Sequence, residues 1–297
     1  MTFAGPFRQH FHASADDRDS KILEFDGNKT VGATGLLGSQ VANITTTNSL
    51  IVADPNTQTN TELTVSVWVY PVMDDSGFEN DGTSGFGHSP HTIFAQYDED
   101  AEDFNIRLQI TGNYSTSKGK VIFRVRDRVI NHTVETINYN QWNHILISME
   151  SAQNSNTTYN DKIHLVVNGT RYTKTSTTNT LTGVSVNGQG DQLITSDSDF
   201  NFVMGASPSD PGSGYTTGNF FYDGAIYQLF VDNVYRDMAT YSNIQVFNQT
   251  AKRNNAALPN QSPLVLITDF KDFNSGLNNP GTIIHRTRVS TSTRSKP

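Results

Sequence analysis

The chain has 297 residues, 35% hydrophobic and 17% charged, enough apolar content for a single layered core. With 29 acidic against 21 basic residues the net charge is -8, so no overall basic field favours nucleic acid or an anionic membrane. The absence of cysteine excludes a disulfide framework and thiolate metal sites, and no run approaches the roughly 18 apolar residues of a membrane span.

The first 21 residues, MTFAGPFRQHFHASADDRDSK, lack a basic segment followed by an apolar run, so no Sec-type export signal is expected. They carry no core pattern and read as an N-terminal arm, with Phe3, Phe7, Arg8 and Phe11 placed to lie along a neighbouring subunit. Strands are expected at Ile22 to Phe25 and Ser49 to Ala53. In LTVSVWVY, Leu63, Val65, Val67 and Val69 point one way while Thr64, Ser66, Trp68 and Tyr70 point the other, the alternation of a strand with two different faces. His91 to Gln96 follows. The acidic run from Asp98 to Asp103 lacks the spaced, Gly-turned pattern of a calcium loop and reads as solvated, although Asp98 and Asp100 offer hard oxygen ligands to Ca²⁺.

FNIRLQI puts Phe104, Ile106, Leu108 and Ile110 inward, and KVIFRVRDR puts Val121, Phe123 and Val125 inward, so the two should form a hairpin. Alternation places Arg107 on the opposite face with Arg124, Arg126 and Arg128, a stripe of guanidinium forks suited to carboxylate, sulfate or phosphate. The alternative is neutralisation within the fold by Asp127 and other carboxylates. Ile145, Ile147 and Met149, then Ile163, Leu165 and Val167, give another strand pair, with Trp142 before it and Asn168-Gly169 at its end. Phe200 to Gly205, Phe220 to Val231 and Leu264 to Phe270 complete the strands, with a short helix starting near Ser242. The pairs His10/His12 and His88/His91 lack a third metal ligand at useful spacing.

Short strands between Gly, Asn, Asp and Ser turns predict an all-β protein: a two-sheet antiparallel sandwich with extended terminal arms. Residues 22–285 form one domain, 1–21 an N-terminal arm and 286–297 a C-terminal tail. The expected core includes Val65, Val67, Ile106, Leu108, Phe123, Ile145, Leu165 and Ile226.

The segments FDG, ELTVSVWVYP, QWNHILISM, LVVNG, FVMGAS and FYDGAIYQLFVDN, in that order over Leu23 to Phe273, resemble laminin G-like domains of the concanavalin A-like jelly-roll superfamily. The resemblance implies that the Trp-x-His step opens a strand, with Trp142 sealing the edge of a core, and that Asn-Gly closes the next strand in a tight hairpin. It implies a binding scaffold, since the E-x-D-x-E pattern of the superfamily's glucanases is absent. The reading is therefore a non-catalytic structural and binding module, a phage capsid decoration or a tail or fibre protein on the virion surface. Its expected partners are other virion proteins, further copies in a homo-oligomer or array, and a surface glycan. The alternatives are an extracellular or cell-surface lectin-like adhesion domain and a polysaccharide-active enzyme with an unrecognised site.

Overall fold

The computed structural model describes residues 22–26, 42–45, 60–72, 90–98, 103–111, 119–125, 128–131, 136–155, 158–175, 178, 180–181, 184–186, 200–205, 207–208, 218–219, 222–250, 265–267, 281–283 and 288–290. Strands β1 (Ile22–Asp26), β2 (Ala42–Thr45), β3 (Asn60–Pro71), β4 (Pro90–Asp98), β5 (Asp103–Thr111) and β6 (Val121–Val125) come first. Next are β7 (Arg128–Asn131), β8 (Asn143–Ser155), β9 (Thr158–Val167), β10 (Thr170–Lys174), β11 (Val184–Val186) and β12 (Phe200–Met204). The remainder are β13 (Ser207–Pro208), β14 (Gly218–Asn219), β15 (Asp223–Asp232), helix α1 (Tyr241–Thr250), β16 (Val265–Ile267), β17 (Gly281–Ile283) and β18 (Arg288–Ser290).

Two 8-stranded antiparallel sheets result. The first runs β10-β9-β8-β3-β15-β1-β18, with β16 also paired to β15; the second runs β11-β7-β6-β5-β4-β12-β2-β17. Their facing surfaces enclose one apolar core, to which β3 gives Leu63, Val65, Val67 and Val69 and β5 gives Ile106, Leu108 and Ile110. Val65, Val67, Ile106, Leu108, Phe123, Ile145, Leu165 and Ile226, the core expected from the sequence, are all in it, while the side chain of Phe104 is not among those described. Burying such a side chain contributes about 1.5–3 kcal/mol, and in a chain without cysteine this packing takes the place of covalent staples.

Strict alternation fails in several strands: in β4 the adjacent Ile93 and Phe94 both enter the core, and two further breaks bear on the faces of the sheets. In β15 the pairing with β3 shifts between Tyr227 and Leu229, and Gln228 takes a φ of 49°. This bulge re-phases the strand, so Ile226 and Leu229 both face the core despite their odd spacing. Similarly, KVIFRVRDR is two strands rather than one: Val125 pairs with Arg128, leaving residues 126–127 as the connection between β6 and β7.

Part of the C-terminal segment also differs from expectation. Arg288–Ser290, assigned from sequence to a free C-terminal tail, pairs with β1 as the last strand of the first sheet. Its short, polar run gives no core pattern to read. The N-terminal arm, with Phe3, Phe7, Arg8 and Phe11, lies outside the described residues.

Candidate functional site

The outward face of the second sheet carries the basic residues. Pairing of β5 with β6 sets Arg107 directly opposite Arg124, and Ile106, Leu108, Phe123 and Val125 beside them point into the core. Arg107 and Arg124 therefore share the outer face. One transverse row reads Val129, Arg124, Arg107, Ala95, Val203 and Asn43, so a small residue adjoins Arg107 on its other side. Both arginines are partly exposed, and both also make interactions within the chain.

Of the expected stripe, Arg107 and Arg124 are described with their side chains. Arg128 stands opposite Val125 in the register of β6 and β7, and its side chain is not among those described. Arg126 lies outside the described residues. The neighbouring row is polar and covered: Gln109 donates a 3.0 Å hydrogen bond to Thr92, and the two are 2% and 0% exposed. Among the described side chains of this face, Arg107, Ile122 and Arg124 are partly exposed.

The acidic run meets the same sheet at its end. Asp98 pairs in register with Asp103 across β4 and β5, and Asp100 lies outside the described residues. Among the described residues no group of acidic or histidine side chains is placed to hold a metal ion.

Part of the outward face of the first sheet, over β3, β8, β9 and β10, is covered by the chain itself. After β15, residues 233–240 cross the sheet as a strap, meeting successive strands. Thr64 on β3 donates to the Val234 carbonyl at 2.6 Å, and the Arg236 amide donates to Ser148 on β8 at 2.8 Å. Arg171 on β10 donates to the Met238 carbonyl at 3.0 Å. Helix α1 then returns, packing Ile244 and Phe247 with Met238 onto Leu146, Val166 and Phe230. The strap is anchored by an Asp232–Arg236 ion pair of 2.5 Å with side-chain exposures of 1% and 11%.

A titratable cluster lies under the strap. His164 Nδ1 is 3.0 Å from Thr173 Oγ1, while Nε2 is 2.9 Å from Tyr235 Oη and 3.2 Å from Asp237 Oδ1. Burial holds the imidazole below its usual value, against the pull of Asp237 and assisted by Arg171. Burial likewise pushes the Tyr235 phenol up to about 12, so it stays protonated through the physiological range. Nearby, Glu62 pairs in register with Glu150 across β3 and β8. The sequence shows no two glutamates on one strand face, and this cross-strand pair is visible only in the fold. Glu150 is bound to Lys162 at 2.7 Å and Glu62 accepts the Tyr235 amide at 3.1 Å, so both carboxylates already have structural partners.

Trp142 plays a different part from the expected core seal. It stands edge-on to Tyr70 and Tyr227, at 5.5 and 6.3 Å, in an aromatic cluster on the outer face of the first sheet. Trp68 stacks on His144 at 4.8 Å beside it.

No protein-family model and no curated protein matches the sequence. In three dimensions the chain is similar to a native heptameric SAP-like pentraxin from Limulus polyphemus, with a TM-score of 0.52, 13% identity and coverage of 93% of this chain and 97% of that one. The fold is a concanavalin A-like jelly roll. A Bacteroides ovatus protein described as carbohydrate-binding is similar at a TM-score of 0.50 and 14% identity, over 93% of this chain and 60% of that one. An alginate lyase is matched at a TM-score of 0.25 and 11% identity, over 64% of this chain and 74% of that one, too low to carry an argument.

Sequence reasoning missed the residue that organises the Trp-x-His step. Asn143 is fully buried; its amide bonds the carbonyls of Asn138 and Gln141, and its oxygen accepts from the Asn138 amide and the Asn168 side chain. The Asn168 side chain in turn accepts the His144 amide at 2.9 Å. The Asn of the Asn-Gly turn thus ties one hairpin to the start of another strand. An asparagine immediately before an apolar alternation was the available signal.

Proposed function

We propose that the protein is a non-catalytic glycan-binding module that holds acidic groups of its ligand with Arg107 and Arg124. The observation that carries this reading is the register-opposed arginine pair on a partly exposed sheet face. Two like charges opposite one another repel, and an anion between them reverses the sign of that interaction. Each guanidinium has five N–H donors, so an interaction within the chain leaves donors for a carboxylate or sulfate. The likeness to the pentraxin and to the Bacteroides protein described as carbohydrate-binding supports a glycan as the ligand class. That pentraxin is heptameric, which supports self-association of this chain as well. Titration with acidic and neutral oligosaccharides tests the reading: a preference for the acidic ones supports it, and equal binding contradicts it.

A second reading, polysaccharide hydrolysis, is favoured by one observation, the Glu62–Glu150 register pair. Retaining hydrolysis uses carboxyl groups about 5–5.5 Å apart, one of them protonated at rest. Glu150 is already held by Lys162 at 2.7 Å, and Glu62 by the Tyr235 amide at 3.1 Å. Release of reducing ends from a glucan or uronan, abolished by Glu150→Gln, would establish hydrolysis over binding. Placement on a virion surface rests on the N-terminal segment and is a separate proposal.

A further inference from the structure

We infer that His164 is the catch of an acid-sensitive latch that holds the strap 233–240, and α1 behind it, against the first sheet. One imidazole joins β9, on which it sits, to Thr173 of β10 and to two strap residues, Tyr235 and Asp237. A neutral ring meets these neighbours with one nitrogen donating and the other accepting a hydroxyl proton from Thr173 or Tyr235. Adding a proton makes both nitrogens donors, and that hydroxyl loses its acceptor. The charge also enters a site where the His164 side chain is 3% exposed.

The groups around the ring decide which form the closed latch prefers. Asp237 attracts the charged ring but is 54% exposed and already accepts the Ala239 amide, so solvent screens that attraction. Arg171, held on the Met238 carbonyl, repels it from β10. Lys162 on β9 lies 5.7 Å from the Tyr235 ring centre and is paired with Glu150 of β8, while Glu62 of β3 takes the Tyr235 amide. Asp232 at the end of β15 is paired with Arg236 of the strap. Burial dominates, so the closed latch keeps the ring neutral.

The sign follows from linkage. The open chain binds a proton as pH falls below about 6.5, whereas the closed latch resists it, so the stabilisation is present above that value and is lost as pH falls toward the depressed value. Opening uncovers Leu146, Val166 and Phe230, the apolar patch on which Met238, Ile244 and Phe247 sit.

Amide hydrogen exchange of the full chain between about pH 7 and about pH 5, corrected for intrinsic rates, tests this. Protection in the strap and α1 should fall about tenfold for each unit by which the fold depresses the imidazole. Ile106 and Leu108 of β5 should keep theirs, and His164→Gln should remove the pH dependence. Unchanged protection, an equal loss in β5, or the same loss in His164→Gln would overturn the latch. Should that variant fail to fold, Asp237→Asn removes the attraction favouring the charged ring, so the loss at about pH 5 should grow; an unaltered loss would also overturn it.

Discussion

Arg107 of β5 and Arg124 of β6 face each other across a central strand pair of the second sheet. A sheet centre is where a like-charged pair is least relieved by side-chain motion, and such pairs directly opposite are destabilising. Thr92, Ala95 and Gln109, also on this face, are buried and uncharged. Charge on this face is therefore local, on a chain whose net charge is -8. Exposed charges are screened by salt over about 8–10 Å, so anion binding here should weaken as ionic strength rises. Binding that ignores salt would remove the electrostatic part of the account.

Core truncation should be costly on either sheet. Phe123→Ala is expected to lower the unfolding free energy by about 3–5 kcal/mol and Leu108→Ala by about 2–5 kcal/mol, because both are fully buried in the inter-sheet core. Urea unfolding measures this, and a change below about 1 kcal/mol would mean that the two faces do not meet as described.

Two glycines should respond very differently to a side chain. Gly169 has a φ of 84° and open space around it, so Gly169→Val should cost only the backbone strain, about 1–2 kcal/mol. At Gly224, with φ 145°, an added Cβ would lie 2.1 Å from the Tyr70 carbonyl oxygen. Gly224→Ala should therefore disrupt the β15–β3 pairing and lower the melting temperature far more. Equal effects would contradict the register.

Removing one partner of the strap anchor should strand a charge. Asp232→Ala leaves Arg236 without its carboxylate at a side-chain exposure of 11%, at an expected cost of about 3–5 kcal/mol. Replacing both by apolar residues, Asp232→Leu with Arg236→Met, should recover most of it. A double variant as unstable as the single one would show that the pair holds the strap by more than mutual neutralisation.

Much of the sandwich was legible because period-two alternation reports a sheet with one buried face. LTVSVWVY gave the faces of β3 correctly, and Asn168-Gly169 gave a hairpin whose residues have φ of 51° and 84°. The helix near Ser242 starts at Tyr241. What alternation could not show was where its own phase changes. The bulge at Gln228 has no Gly or Pro to mark it, so Leu229 falls on the face opposite to the one a running count assigns, and the break after Val125 sets Arg128 opposite Val125 in a new strand. Strands of three or four residues such as β2, β11, β17 and β18 are too short to complete a pattern. The strap was invisible for another reason: its contacts join Val234 to Thr64 and Tyr235 to Glu62, residues distant in sequence whose pairing only the fold creates.

If the N-terminal segment supplies attachment to an assembly, deleting residues 1–19 should leave the unfolding midpoint unchanged, since β1 begins at Ile22. The same deletion should abolish incorporation into particles, measured by co-sedimentation. Normal incorporation of the shortened chain would remove the virion proposal and leave the glycan reading untouched.

The account turns on whether Arg107 and Arg124 hold an acidic ligand. Calorimetric titration of the full chain with matched uronate or sulfated and neutral oligosaccharides, at low and high salt, measures this directly for the wild type and for Arg107→Gln with Arg124→Gln. The predicted result is binding to the acidic series that falls with salt and weakens at least about tenfold in the double variant, a loss of about 1.4 kcal/mol. Binding of neutral and acidic sugars alike, unchanged in the double variant, would contradict the account.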